Sequence, residues 1–279
     1  MILSTDTDRI VLEPLTTHHL EAAAALSRGE GWPHRYEDWA LSVAISRGVV
    51  AMADGRLVGT ALATPFGRVA TLNLIIVAPE MRGRGLGRAL VARAMELASD
   101  EWRLTATRDG LPLYRSLGFV EGGEIFQYQG SVAAVPRPEG ASWAEPTDAE
   151  AILALDCAAT GMDRTSLLTE IMRTGRFAVM REGNRLAGFA AIRPFGRGEV
   201  AGPTIARDRE SAWRLLAFVL AGREGAFMRV DTQADSGLAP WLAEIGLTCV
   251  GGGIPMSLGK APATPSPFRS FALAAQAFG

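Results

Sequence analysis

Three blocks of sequence occur twice, in the same order, and nothing else in the chain limits its fold so strongly. VLEPLTTHHLEAAAAL, from Val11, is echoed by WAEPTDAEAILAL from Trp143. AMADGRLVGTALATPFGR (51–68) is echoed by VMREGNRLAGFAAIRPFGR (179–197), and LTATRDGLPLYRSLGF (104–119) by VDTQADSGLAPWLAEIGL (230–247). The displacement is about 126 to 132 positions each time. Ordered repetition of this kind means two copies of one supersecondary plan. The expected division is residues 1–131, a linker at 132–142 containing the proline-bearing AAVPRPEGAS, a second copy at 143–260, and a tail at 261–279. A chain of 279 residues that is 48% hydrophobic can pack two cores.

Each copy mixes helices and strands. In the first, a strand at Ile10–Glu13 leads into a helix capped by Thr16 or Thr17, and a second helix spans about Glu37 to Ser46. Asp54-Gly55 between apolar runs signals a hairpin. VATLNLIIV reads as a buried strand, followed by a glycine loop and a helix reaching about Ala98, with Leu86, Ala89, Leu90, Ala94 and Leu97 on one face. Arg93 interrupts that face. The strand WRLTAT, a short helix around PLYRSL and a final hairpin complete the copy.

The glycine loop carries the chemistry. In PEMRGRGLGRAL (79–90), glycines alternate at Gly83, Gly85 and Gly87, although each glycine within a helix costs about 1 kcal/mol relative to alanine. Their placement between a strand and a helix lets an anion approach the unpaired amides at the helix start, with Arg82, Arg84 and Arg88 adding charge. The spacing matches neither G-x-x-x-x-G-K-[ST] nor G-x-G-x-x-G, which disfavours a nucleotide-binding module. Arg82-Gly83-Arg84-Gly85-Leu86-Gly87, together with PLYRSLGF some twenty-five residues on, resembles the GNAT acyltransferases. The resemblance covers the first half and extends to the second, as in tandem members. It implies two domains, each a mixed, mostly antiparallel sheet flanked by helices. It also implies acetyl-CoA as co-substrate, its diphosphate on Arg82, Gly83, Arg84, Gly85, Leu86, Gly87 and Arg88, and its thioester along Leu74, Ile75, Ile76 and Val77, on a strand that splays from its neighbour. Tyr114 corresponds to the family's general acid, protonating the leaving thiolate.

Many relatives place a glutamate on the strand before the loop; TLNLIIV has only Asn73. His34 is one candidate base, and the alternative for it is a surface loop. In similar proteins its segment, GWPHRYEDW, covers the acceptor, which makes Trp32 and Tyr36 candidate lining residues. His18 and His19 read as surface residues. Asp156 and Asp163 in LDCAATGMDR are either acids facing the cleft or structural groups, capping a helix and pairing Asp163 with Arg164.

The second half replaces the glycine loop by TIARDRESAWRLL (204–216), with Glu210 and Trp213, and Tyr114 by about Leu242, so it is expected neither to bind acetyl-CoA nor to catalyse. GEVAGPTIA (198–206) reads as a strand and turn, with Gly202-Pro203 breaking the ladder. The tail, APATPSP followed by FRSFALAAQAFG, should dock Phe268, Phe271, Leu273 and Phe278 on a domain face or a second subunit. Cys157 and Cys249 offer neither a disulfide framework nor a zinc spacing and read as small core residues. A net charge of −2 argues against a general nucleic-acid binder, and no metal site is expected. No secretory signal or membrane-length apolar run is evident, so the expected compartment is the cytoplasm. The expected activity is acetyl transfer to a small-molecule primary amine by direct attack, with a possible homodimer. The alternatives are a protein amine as acceptor and a non-catalytic acyl-CoA sensor.

Overall fold

Both copies share one succession: a strand, two helices, three strands, a helix, a strand, a short helix and a strand, to which the first half adds two short strands and the second a terminal one. The computed structural model describes residues 2–5, 8–96, 99–261 and 265–279, with side chains from Ile10 onward. In the first half these are β1 (Ile2–Thr5), β2 (Asp8–Pro14), α1 (Leu20–Gly29), α2 (Tyr36–Ile45), β3 (Arg47–Ala53), β4 (Arg56–Phe66), β5 (Val69–Val77), α3 (Leu86–Ala94), β6 (Glu101–Ala106), α4 (Leu111–Ser116), β7 (Val120–Glu121) and β8 (Ile125–Ser131). The second half continues with β9 (Ala141–Trp143), α5 (Ala149–Thr160), α6 (Thr165–Thr174), β10 (Arg176–Glu182), β11 (Arg185–Phe195), β12 (Gly198–Ala206), α7 (Arg209–Leu220), β13 (Phe227–Gln233), α8 (Ala239–Glu244), β14 (Thr248–Gly259) and β15 (Arg269–Ala272). Leu97 and Ala98 of the expected helix, and Pro262, Ala263 and Thr264 of the expected spacer, lie outside the described residues.

Local chemistry accounts for most of these elements. Asp54 and Gly55 take φ of +49° and +77°, the left-handed pair that a two-residue hairpin between β3 and β4 requires. The run LVGTALA of β4 is buried on both faces, which is why it reads as continuously apolar. Trp39 of α2 is fully buried and donates from Nε1 to Ser27 Oγ of α1 at 3.0 Å, locking the two helices together. Arg93 turns outward from α3 and pairs with Glu96, so the apolar face is not broken.

The strands join one mostly antiparallel sheet in the order β1-β2-β3-β4-β5-β6-β14-β8-β13-β15-β12-β11-β10-β9, with β7 on β14. The two halves have exchanged strands. β14, from the second half, pairs with β6 from Ile254↔Ala106 to Gly259↔Glu101, and β8, from the first, pairs with β13 from Phe227↔Ser131 to Gln233↔Ile125. This corrects the expected final hairpin of each copy: β7 and β8 pair with strands of the other half rather than with each other. Gly202 and Pro203, joined by a cis peptide, have no partner in the β11 ladder, which shifts register there, although β12 itself continues to Ala206. Cys157 and Cys249 are exposed rather than in the core: Asp156 takes the inward position on α5, and Cys249 lies where β14 is exposed at its start.

Alternate residues of the central strands define two faces. Trp102 and Leu104 of β6 with Met256 of β14 pack beneath α3 and α4 in one core, and Met228 and Val230 of β13 pack with α7 in another. Arg103, Thr105, Ser257 and Gln233 line the opposite, polar face. There the repeated PFGR turns dock reciprocally. Gly196 lies against Pro33 and donates to Asp38 Oδ2 at 3.0 Å, whereas Phe66 O accepts from Asp163 N at 3.2 Å beside Gly67.

Candidate active site

The site begins where two parallel strands part. β5 and β6 pair at Val69↔Glu101, Ala70↔Trp102 and Thr71↔Arg103, and no further. Just past that point β5 carries a bulge: Thr60 faces Ile76 but Leu62 faces Asn73, and Leu74 has a φ of +46°. Thr60 Oγ1 donates to Leu74 O at 2.7 Å and holds the bulge. Residues 73–77 therefore border an opening on the β6 side, where their backbone can be joined by an extended ligand. Leu74 and Ile76 are buried against α1 and α2, while Ile75 and Val77 pack on the α3 side.

β5 then runs into the glycine loop. Gly83 and Gly85 take φ of +75° and +76°, so both need glycine for backbone reasons, and no atom lies within 4 Å of the point a Cβ would occupy at either. Gly87 is different: it lies within the helix, where a Cβ would make ordinary contact with Leu113 at 3.6 Å. Gly85 is the N-cap residue of the nine-residue α3, and no side chain caps that end. With no side-chain cap and open space around the Cβ positions of Gly83 and Gly85, this helix start is of the kind that suits a phosphate. Arg82 donates through Nε to Val77 O at 3.0 Å and pairs with Glu30, tying the loop to the end of β5. Arg88 donates to Ser116 Oγ at 2.6 Å, and Arg84 stands exposed between the glycines.

Tyr114 projects from α4, 7% exposed, with its ring edge-on to Phe119 at 5.9 Å. Desolvation pushes its hydroxyl up to about 12, so it stays a neutral proton donor through ordinary pH. No hydrogen bond from another described residue engages that hydroxyl.

The candidate acceptor residues are not gathered in one place. His34 sits between Trp32 at 5.8 Å and Phe195 of the second half at 5.5 Å. Burial lowers it to about 4, partly opposed by Asp38, and its Nδ1 is buried without a partner. It is neutral at pH 7 but a weak base. Tyr36 is 47% exposed. Asn73 turns its Nδ2 to Thr64 Oγ1 at 2.8 Å and Thr71 Oγ1 at 3.3 Å, leaving Oδ1 buried and unbonded. Asp156 is consumed by a bidentate pair with Arg164, both fully buried, and Asp163 accepts from Thr165 N at 3.2 Å at the start of α6. Arg164 thus pairs with Asp156 rather than with its sequence neighbour Asp163, which accepts from Thr165 instead.

The second half repeats the splay and fills it. β12 and β13 pair at Glu199↔Met228 and Val200↔Arg229, then diverge, and β15 enters between them. Ala272 faces Thr204 on one side and Thr232 on the other, and Thr232 Oγ1 donates to Phe271 O at 2.7 Å. Only Arg207 and Asp208 separate β12 from α7, and Asp208 caps that helix through Ser211 N at 2.8 Å. Leu242, at the position matching Tyr114, is fully buried. Sequence reasoning treated the tail as a docking segment; it enters the sheet, with Phe271, Leu273 and Phe278 buried and Phe268 packed beside them. It also missed Gln276 and Thr105, which face a cavity between the halves. No motif marks them, because strand exchange creates that cavity.

Among the described residues no helix is long and apolar enough to cross a membrane, and no cluster of His, Cys, Asp or Glu is placed to hold a metal.

Comparison with known proteins agrees with this geometry. Models described as acetyltransferase (GNAT) domain match residues 44–121 and 152–267. The uncharacterized N-acetyltransferase YitH of Bacillus subtilis (strain 168) is 27% identical over 232 residues, 79% of this chain and 81% of its own length. A candidate acetyltransferase from Pyrococcus horikoshii superposes with a TM-score of 0.81 at 22% identity, covering 99% of this chain and 98% of its own. A tandem GNAT protein from the clavulanic acid biosynthesis pathway does so with 0.62 at 19% identity, covering 91% and 100%. With two matched domains, one open splay and one glycine loop, the chain is an N-acetyltransferase and belongs to the GNAT superfamily as a tandem member.

Proposed function

We propose that the first half transfers the acetyl group of acetyl-CoA to the primary amine of a small molecule by direct attack. The observation that carries this reading is the pair of splays: open beside a glycine loop in the first half, filled by β15 without such a loop in the second. Amides at the start of α3 would hold the diphosphate, and the free edge of residues 73–77 would receive the pantetheine arm and the thioester. Backbone donors there stabilise the tetrahedral oxyanion as the amine nitrogen bonds to the carbonyl carbon. As the C–S bond breaks, Tyr114 gives its proton to the thiolate and regains one from solvent, while the ammonium proton leaves through water. Neither His34 nor Asn73 is needed as a base. A small acceptor is favoured because the cavity on the face opposite α3, walled by residues of both halves, has the size of a small-molecule site.

Calorimetric titration with acetyl-CoA, combined with thiol release over an amine panel, tests the reading. One molecule bound per chain and amine-dependent thiol release are expected. Two molecules per chain, or binding that survives a charge placed in the glycine loop, would refute it.

A further inference from the structure

On the face opposite α3, beside the point where the splay begins, lies a cavity of about 660 Å³ walled by both halves. Thr71 and Arg103, the last paired residues before β5 and β6 part, line it, with Thr105 just beyond. The size is that of a small-molecule site. No Phe, Tyr, Trp or His is among its lining residues, so nothing there stacks on an aromatic acceptor.

One group in this cavity has both a fixed direction and an unused atom. Gln276, in the tail beyond β15, donates from Nε2 to Asp231 Oδ1 at 3.1 Å and to Gln127 Oε1 at 3.3 Å. Asp231 is fully buried and pairs with Arg229 at 2.8 Å. A carboxylate held by a guanidinium only accepts hydrogen bonds, so the amide nitrogen must face Asp231 and Oε1 must face away. That oxygen meets no donor among the described residues and is not sealed from the cavity. Gly253 gives it room: a Cβ there would stand 2.4 Å from Thr105 Cγ2 and 3.2 Å from Gln276 Oε1. The oxygen thus lies close to Thr105, on β6 just past the parting of the strands. The chain Arg229–Asp231–Gln276 polarises the amide and strengthens its oxygen as an acceptor.

We infer that Gln276 Oε1 takes a hydrogen bond from a second donor group on the acceptor, remote from the nitrogen that is acetylated. The substrate class is then an aliphatic amine carrying a hydroxyl or a further ammonium group, rather than an alkylamine ending in methyl or an arylalkylamine. The inference rests on the reading of the first half as the acetyl-CoA site.

Three amines of equal reach test it: 1,4-diaminobutane, 4-amino-1-butanol and n-pentylamine. With the full chain and saturating acetyl-CoA, kcat/KM for the first two should exceed that for n-pentylamine by about tenfold or more, the worth of one good hydrogen bond. In Gln276→Met the ratio should collapse toward one, with calorimetric acetyl-CoA affinity within about twofold of wild type. Equal kcat/KM in the wild type overturns the inference, and that comparison needs no variant. A preference that persists in Gln276→Met overturns it too. Acetyl-CoA binding without thiol release from any of the three overturns it while leaving the cofactor site intact. Failure to bind acetyl-CoA at all refutes the underlying reading instead.

Discussion

Gly85 separates the loop's role in folding from its role in binding. Its φ of +76° penalises any side chain, but no atom lies within 4 Å of where a Cβ would stand. The structural cost of Gly85→Ala or Gly85→Glu is therefore the left-handed backbone alone, about 1–2 kcal/mol. In a chain of this size that lowers Tm by a few degrees. Binding should respond quite differently. A carboxylate at position 85 would stand beside the α3 amides, about 4 Å from a phosphate, where like charges at an effective dielectric of 20 repel by about 4 kcal/mol. That corresponds to a loss of roughly a thousandfold in Kd. Melting and calorimetric titration on wild type, Gly85→Ala and Gly85→Glu would show the two variants melting alike, with acetyl-CoA binding weakened in the first and nearly abolished in the second. Acetyl-pantetheine, which lacks the diphosphate, should not sense the added charge. Wild-type acetyl-CoA affinity in Gly85→Glu would refute the anion site, and a variant that failed to fold would refute the open space around residue 85.

Tyr114→Phe should lower turnover by about 10²–10⁴-fold with little change in acetyl-CoA affinity or Tm; because burial pushes the phenol up to about 12, wild-type turnover should show no alkaline loss from this group below pH 10, and unchanged thiol release in the variant excludes the acid role. Phe271→Ala removes a fully buried ring from the strand that fills the second splay and should cost about 3–5 kcal/mol in urea unfolding; a loss below 1 kcal/mol would mean that β15 is not integral to the sheet. His34, lowered to about 4 by burial, binds its proton less readily folded than unfolded, so stability should fall as pH drops from about 6.5 to 4, by up to about 3 kcal/mol. Urea unfolding of His34→Gln should lack this part of the slope, and an identical slope would place the acid sensitivity elsewhere.

The elements that read clearly in the sequence are those set by short-range chemistry. Asp54-Gly55 dictates its own turn; Gly83 and Gly85, read as glycines that let a ligand approach, prove also to occupy left-handed positions. The repeat revealed two copies because buried strands such as β4 and β11 carry the same apolar run in each. Strand exchange left no such trace: β8 and β14 have the composition of any late strand, and nothing local tells β14 to prefer β6. The same holds for the tail, whose Phe271 and Leu273 announce burial but not an insertion between β12 and β13. Asp156 could not be distinguished from a cleft acid without knowing that Arg164 lies against it. Gln276 was invisible because its significance depends on Asp231 and Gln127, far away in sequence.

The exchange of β8 and β14 makes the chain a knit fabric rather than two beads on a string. Neither half, cut out at the proline-bearing connector, keeps the neighbour that completes its own sheet, so each fragment would expose a raw hydrogen-bonding margin inviting aggregation. A protease nick in the connector, by contrast, would leave the two pieces clasped together. The arrangement is that of two interlaced copies carried on one polypeptide, each finishing the other's sheet.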